Sequence, residues 1–180
     1  MINEVTRALV AHLHSRTPDL GSWVVVHSLS AADAAPAKDK LALCLLAVDE
    51  HDHLRNSPPV EVAGRLQRAP MQLRLSYLVT YFGPHDEAMA RLTRVIAVFH
   101  TTPVLGQDEL PLTLGEQVER VTVRLRNTTA DERNQVWSVL GRPGRLALFY
   151  TVDVAPVRLL PGLDGDGRVL AHRIDLAGTP

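Results

Sequence analysis

The sequence predicts an α+β fold: a mixed, mainly antiparallel sheet flanked by about three helices, in one domain spanning residues 1–180. Three observations lead there. Apolar residues recur at helical spacing in three separate stretches and at period two in several others. The two patterns run helix, strand, strand, strand, helix, strand, helix, strand, strand, which is less regular than a βαβ repeat requires. Finally, 180 residues with 46% apolar and 22% charged content can enclose one real core, whereas two independent domains would each be small.

The first element is the amphipathic stretch "INEVTRALVAHLHS", which places Val5, Ala8, Leu9, His12 and Leu13 on one helical face with Asn3 as N-cap. "TPDLGSW" breaks it. "WVVVHSL", residues 23–29, is short and β-branched, as a strand should be, and the small, Pro-interrupted residues 30–39 read as a loop. "KLALCLLAV", residues 40–48, is the unbroken apolar run of a strand covered on both faces. Residues 49–70 contain two adjacent prolines and little periodicity, so a loop is expected, and a loop of that length tends to be functional or to fold against a partner.

In "MQLRLSYLVTYF", residues 71–82, Leu73, Leu75, Tyr77, Val79 and Tyr81 alternate as in a long strand. After Gly83-Pro84, residues Ala88, Leu92, Val95, Ile96 and Phe99 describe one helical stripe. "VERVTVRL" alternates again, giving a half-exposed strand. "NTTADERNQVWSVLG" opens on a capping box of Thr129 and Glu132, carries Val136, Trp137 and Leu140 on its apolar face, and stops at Gly141. "RLALFYTVDVAPVRLL" reads as a strand that Pro156 bends or demotes toward an edge, and residues 161–176 as a turn and a returning strand.

Charge and composition exclude several function classes. A net charge of −1 and a pI near 6.7 supply no basic field for a phosphate backbone, and 4% aromatic content offers no platform for stacking bases, so no nucleic-acid partner is expected. Charged residues interrupt the amino-terminal stretch, and nowhere do about 18 apolar residues run together, so neither signal peptide nor membrane helix is expected. The lone Cys44 lies in an apolar run and reads as a buried small hydrophobe in a reducing compartment. A cytoplasmic location is the expectation.

Three stretches invite a chemical reading. His85, Asp86 and Glu87 follow the Gly-Pro pair, but at a helix start unpaired N–H groups and the positive dipole end favour carboxylates without catalysis. "DEHDH", residues 49–53, has donors that zinc or manganese use, and in an extended segment His51 and His53 point the same way. The alternative function is therefore a small metal-dependent hydrolase using Asp49, His51, His53 and Glu87. "DGDG", residues 164–167, lacks the further oxygen ligands of a calcium loop. Phosphate-cradling glycine loops and a nucleophile elbow are missing as well, so no enzyme activity, cofactor or metal is expected.

The order of "INEVTRAL", "DEHDHLRNSPP", "LRLSYLVTYFGPHDEAMARLTRVIAVFHTTPVL" and "VWSVLG" followed by "LALFYTVDVAPVRL" resembles the tail-terminator, or cap, subunits of extracellular contractile injection systems, over nearly the whole chain. One departure is that Leu45 and Leu46 stand where those subunits tend to carry an aromatic. The resemblance implies a phage tail-terminator-like fold and a non-catalytic hexameric ring that ends the inner tube and engages the last sheath layer. It implies partner contacts at Leu54, Arg55 and Asn56, and a protein incorporated into the injection particle. The segments 49–70 and 105–112 would be arms reaching the tube protein and the sheath protein, since a sheath held by strand exchange leaves unpaired edges at its last ring.

Overall fold

The structure is a computed structural model and describes residues 1–51, 60–62, 65–67 and 71–157. The chain opens with helix α1 (Ile2–Arg16), whose buried stripe is Val5, Thr6, Ala8, Leu9, His12 and Leu13. Asn3 is not its cap: the helix starts at Ile2, no side chain caps it, and Glu4 answers the positive end of the dipole in the first turn. Strand β1 (Val24–Val26) follows. It ends earlier than the β-branched pattern suggests: His27 N–H makes one more bond to β2, at Leu43 O, and Leu29 then turns into the left-handed region at φ 59°.

Strand β2 (Lys40–Glu50) runs past the apolar run, and β3 (Val60–Val62) pairs with β4 (Arg65–Gln67) as a small antiparallel ladder. Thus the stretch expected to be loop contains strands too short to show a period. Strand β5 (Met71–Phe82) and helix α2 (His85–Thr101) fall where the spacing puts them. Then come β6 (Val104–Gly106), a 3-10 turn (Gln107–Glu109), the one-turn helix α3 (Leu112–Gly115), β7 (Val118–Leu125), α4 (Ala130–Leu140) and β8 (Ala147–Val157). The tail reading at 161–176, with "DGDG", lies outside the described residues.

Six strands form one sheet in the order β1-β2-β5-β8-β7-β6, with β1 parallel to β2 and every other pair antiparallel. The α+β class with a mixed, mainly antiparallel sheet is therefore the observed one, with three long helices and α3 among the described residues. Strand β8 is central, not an edge. Pro156 is tolerated there because Met71 pairs with Val157 while Leu73 pairs with Val154, so β8 carries one extra residue at that point, and such a bulge relieves the ladder of a missing N–H.

One face of the sheet carries α1 and α2 and the main core, where Leu9, Leu13, Leu92, Val95 and Phe99 meet Leu41, Leu75, Tyr77, Val79, Val121 and Val152. Ile96, read as part of the α2 stripe, stays 38% exposed at the rim of that stripe. Among the described residues the other face is covered toward the end bearing Phe82 and Ala147, here the upper end. There Trp137 of α4 packs with Leu29, Ala42, Cys44, Leu78 and Phe149. Cys44 is buried, its Sγ donates to Ser28 O at 3.0 Å, and burial pushes the thiol up to about 11. An inert small hydrophobe is what that describes.

The crossover between the parallel strands β1 and β2 is a loop laid over this second face rather than a helix. Arg142 pins it: Nε donates to Leu29 O at 2.9 Å, and Nη2 to Ser30 O at 2.7 Å and Asp33 O at 2.6 Å. Leu29, in a backbone region that costs a non-glycine residue about 1–2 kcal/mol, is held from the other side by its N–H donating to His27 Nδ1 at 2.8 Å. The capping box of α4 is present, with Thr129 Oγ1 accepting from Glu132 N–H and Glu132 Oε2 accepting from Thr129 N–H, and Gly141 closes the helix at φ 66°.

Candidate assembly surfaces

At the Gly-Pro turn, Pro84 occupies the cap position of α2 and supplies no side-chain cap, leaving Asp86 and Glu87 in the first turn. Glu87 also ties the helix start to β5, because its Oε2 accepts from Tyr81 Oη–H at 2.9 Å. Burial, and then that carboxylate, raise the Tyr81 pKa. Gly83 is required by close approach, because a Cβ there would meet Tyr81 Cε1 at 2.4 Å and Asp39 Oδ1 at 3.1 Å. His85 and Asp86 are exposed. The trio starts and anchors a helix, and no proton-transfer partner is needed to explain it.

The metal alternative meets a geometric obstacle. Asp49 lies on β2 opposite Arg74 at the lower end of β5, whereas Glu87 touches Tyr81 at the upper end. Those levels lie about seven strand residues apart, about 23 Å, so Glu87 cannot share an ion with Asp49. His51 is placed by its own N–H donating to Gln72 O at 2.9 Å. His53 lies outside the described residues, as do Leu54, Arg55 and Asn56. Among the described residues no group of three His, Cys, Asp or Glu side chains converges.

What the described residues do present is sheet surface. On the lower half of the second face, register aligns Asp49, Arg74, Asp153 and Thr122 in one row across four strands, with Arg124 beside it. Asp153, only 13% exposed, accepts from Arg74 Nε at 3.2 Å and pairs with Arg124 Nη2. This platform is polar, with the Asp153 charge answered from both sides.

The two sheet edges differ. On the β1 side, Val24 N–H donates to Nε2 of His14 from α1 at 3.2 Å, so a side chain occupies that edge. The ring must be neutral at Nε2 to accept, and burial, followed by the Lys40 charge, lowers the His14 pKa accordingly. On the β6 side, Pro103 O accepts from Val123 N–H at 2.7 Å and Leu105 faces Val121. Alternation then turns the N–H and C=O of Val104 and the N–H of Gly106 outward, while the Gly106 C=O opens the 3-10 turn as its N-cap. Among the described residues no strand pairs with that edge.

Sequence reasoning missed both this open edge and the polar row. The strand alternation carried part of the signal for the row, but a three-residue strand carries none. A profile of the Pvc16 N-terminal domain matches residues 4–159. The chain belongs to the Pvc16 N-terminal domain family. Two solved structures share the fold of this family member: the sheath/tube terminator of PVC, an extracellular contractile injection system, in its extended state, and the tube-terminating cap of the anti-feeding prophage. The first is 23% identical with a TM-score of 0.62, and the second 19% identical with 0.58. They cover 100% and 98% of this chain, which spans 64% and 60% of theirs, less than two thirds of either. No curated protein matches. No helix among the described residues is long and apolar enough to cross a membrane.

Proposed function

We propose that the chain is a structural cap of a contractile injection system, acting without catalysis. Copies form a hexameric ring that ends the inner tube and engages the last layer of sheath. Membership of the Pvc16 N-terminal domain family over residues 4–159 carries this reading, and the fold shared with two solved terminators supports it.

A tube of stacked rings is a heterologous assembly that never closes, so its end needs a subunit that binds the last ring without offering a further copy of the same face. The unequal sheet edges suit that role: one is occupied by His14, and the other offers the N–H and C=O of Val104 and the N–H of Gly106 for added strand pairing. Residues 1–180 act as one unit, with 49–70 as an arm that carries Leu54, Arg55 and Asn56 as partner contacts, while 105–112, expected as a second arm, makes its contact as a turn held to the body by buried Leu105 and Leu110. The protein assembles in the cytoplasm and leaves it within the particle. Negative-stain images of particles made without this chain test the reading: tubes of uncontrolled length or unstable sheaths are expected, and normal particles contradict it.

A further inference from the structure

Resting on the ring reading, we propose that neighbouring copies of this chain join head to tail, the acidic turn around Leu112 of one copy seating in the basic, aromatic-walled groove between α2 and α4 of the next. The groove encloses about 690 Å³ at the upper end of the sheet. Tyr81, Ala88, Trp137 and Leu146 supply apolar wall, while Arg133 and Arg145 add two positive charges. Both guanidiniums are positioned from within: Arg145 lies 4.7 Å over the Phe82 ring, and Arg133 Nε donates to Thr129 O at 3.3 Å. Among the described residues neither pairs with a carboxylate. Of the acids nearby, Glu87 and Asp39 flank Tyr81 at one side of the groove, Glu87 is engaged by the tyrosine hydroxyl and Glu132 by Arg126, while Asp86 and Asp131 stand in the first turns of α2 and α4.

The turn is the counterpart. Leu110 and Leu114 are buried anchors, and Gln107 Nε2 donates to Gly115 O at 3.3 Å, so the 3-10 turn and α3 are stapled together. Leu112 between the anchors is 88% exposed. Asp108 and Glu116 flank it with no cation partner among the described residues, whereas Glu109 pairs with Arg16. One exposed leucine means little by itself. Fixed on a stapled turn between two unanswered acids, it matches an apolar groove on the same molecule that bears two unanswered arginines.

Position decides the symmetry. The turn follows β6 toward the end of β7 where Val118 pairs with Val157, opposite to the groove. Two different patches at opposite ends make a heterologous contact, which closes into a ring when the rotation permits. Complementary charge would steer the approach and fix the register, and the apolar knob would supply the desolvated centre.

Mass photometry of the full chain tests this, with Arg133→Glu/Arg145→Glu, with Asp108→Lys/Glu116→Lys, and with all four combined. Every one of these side chains is exposed, so thermal unfolding should match the parent protein. Each double reversal should raise the assembly midpoint roughly tenfold or more, and the fourfold combination should recover most of that loss. Leu112→Arg should act like a double reversal. Both double variants assembling like the parent would overturn the interface while the ring stands, as would variants that assemble normally but lose tube or sheath. A parent protein that remains monomeric both alone and on tube ends would overturn the ring reading itself.

Discussion

Tyr77 and Thr6 offer the sharpest test of how α1 is fastened to the sheet. Tyr77, on the central strand β5, is 1% exposed, and its hydroxyl lies 2.8 Å from Thr6 Oγ1 on α1. Thr6 has one proton and gives it to Ile2 O at 3.0 Å, so Tyr77 must be the donor between the two side chains. Burial pushes the phenol up to about 12, so it keeps that proton at any physiological pH. Tyr77→Phe removes donor and hydroxyl together and should cost about 0.5–1.5 kcal/mol, the net worth of one intramolecular hydrogen bond.

Thr6→Val keeps the shape but leaves a buried hydroxyl with no acceptor, and should cost about 1–3 kcal/mol, more than the first change although it touches a smaller side chain. The double variant removes both polar groups, so its cost should fall well below the sum, with a coupling of about 1 kcal/mol or more. Urea unfolding below the assembly concentration measures all three. Each kilocalorie corresponds to roughly 2–4 °C in melting temperature for a chain of this size. Additive costs, or Thr6→Val proving milder than Tyr77→Phe, would refute the assignment of donor and acceptor.

Arg142→Ala should release the crossover loop and cost about 2 kcal/mol, the scale of charged hydrogen bonds to carbonyls, and Arg142→Lys should recover little because an ammonium cannot fork across three acceptors. Denaturant midpoints check both, and full rescue by lysine would contradict the geometry. Gly83→Ala should cost about 1–3 kcal/mol by forcing the added methyl against the Tyr81 ring, read as a lower melting temperature. Stability should also fall on mild acidification. Burial lowers the pKa of both His12 and His14, so the unfolded chain binds more protons than the folded one. Their contribution is complete above the ordinary imidazole value of about 6.5 and is lost as pH falls below it through the folded values. Urea midpoints at about pH 7.5 and about pH 5, either side of that value, measure it, and a flat profile would contradict the neutral His14–Val24 contact.

Legibility in the sequence followed the length of each repeat. β5 shows five alternating apolar positions and α2 a stripe of several turns, and both were readable because each pattern is longer than any accident of composition. The capping box of α4 was readable because its two residues act on each other locally. Pro156 misled, since a proline in a central strand is excluded unless a bulge absorbs it, and bulges leave no mark in a single strand's sequence. β3 and β4, three residues each, were invisible for want of a period. The groove brings Tyr81, Ala88, Trp137 and Arg145 together from two helices, a strand and a loop, so spacing along the chain could not reveal it. Family resemblance, by contrast, was legible because it reads the order of elements and not any one of them.

The most direct test of capping is to add the purified chain to growing inner tubes and image their ends by electron microscopy. A hexameric ring at one end of each tube, with growth arrested there, is the expected result. Tubes that keep lengthening with the chain left in solution as free monomer would contradict it.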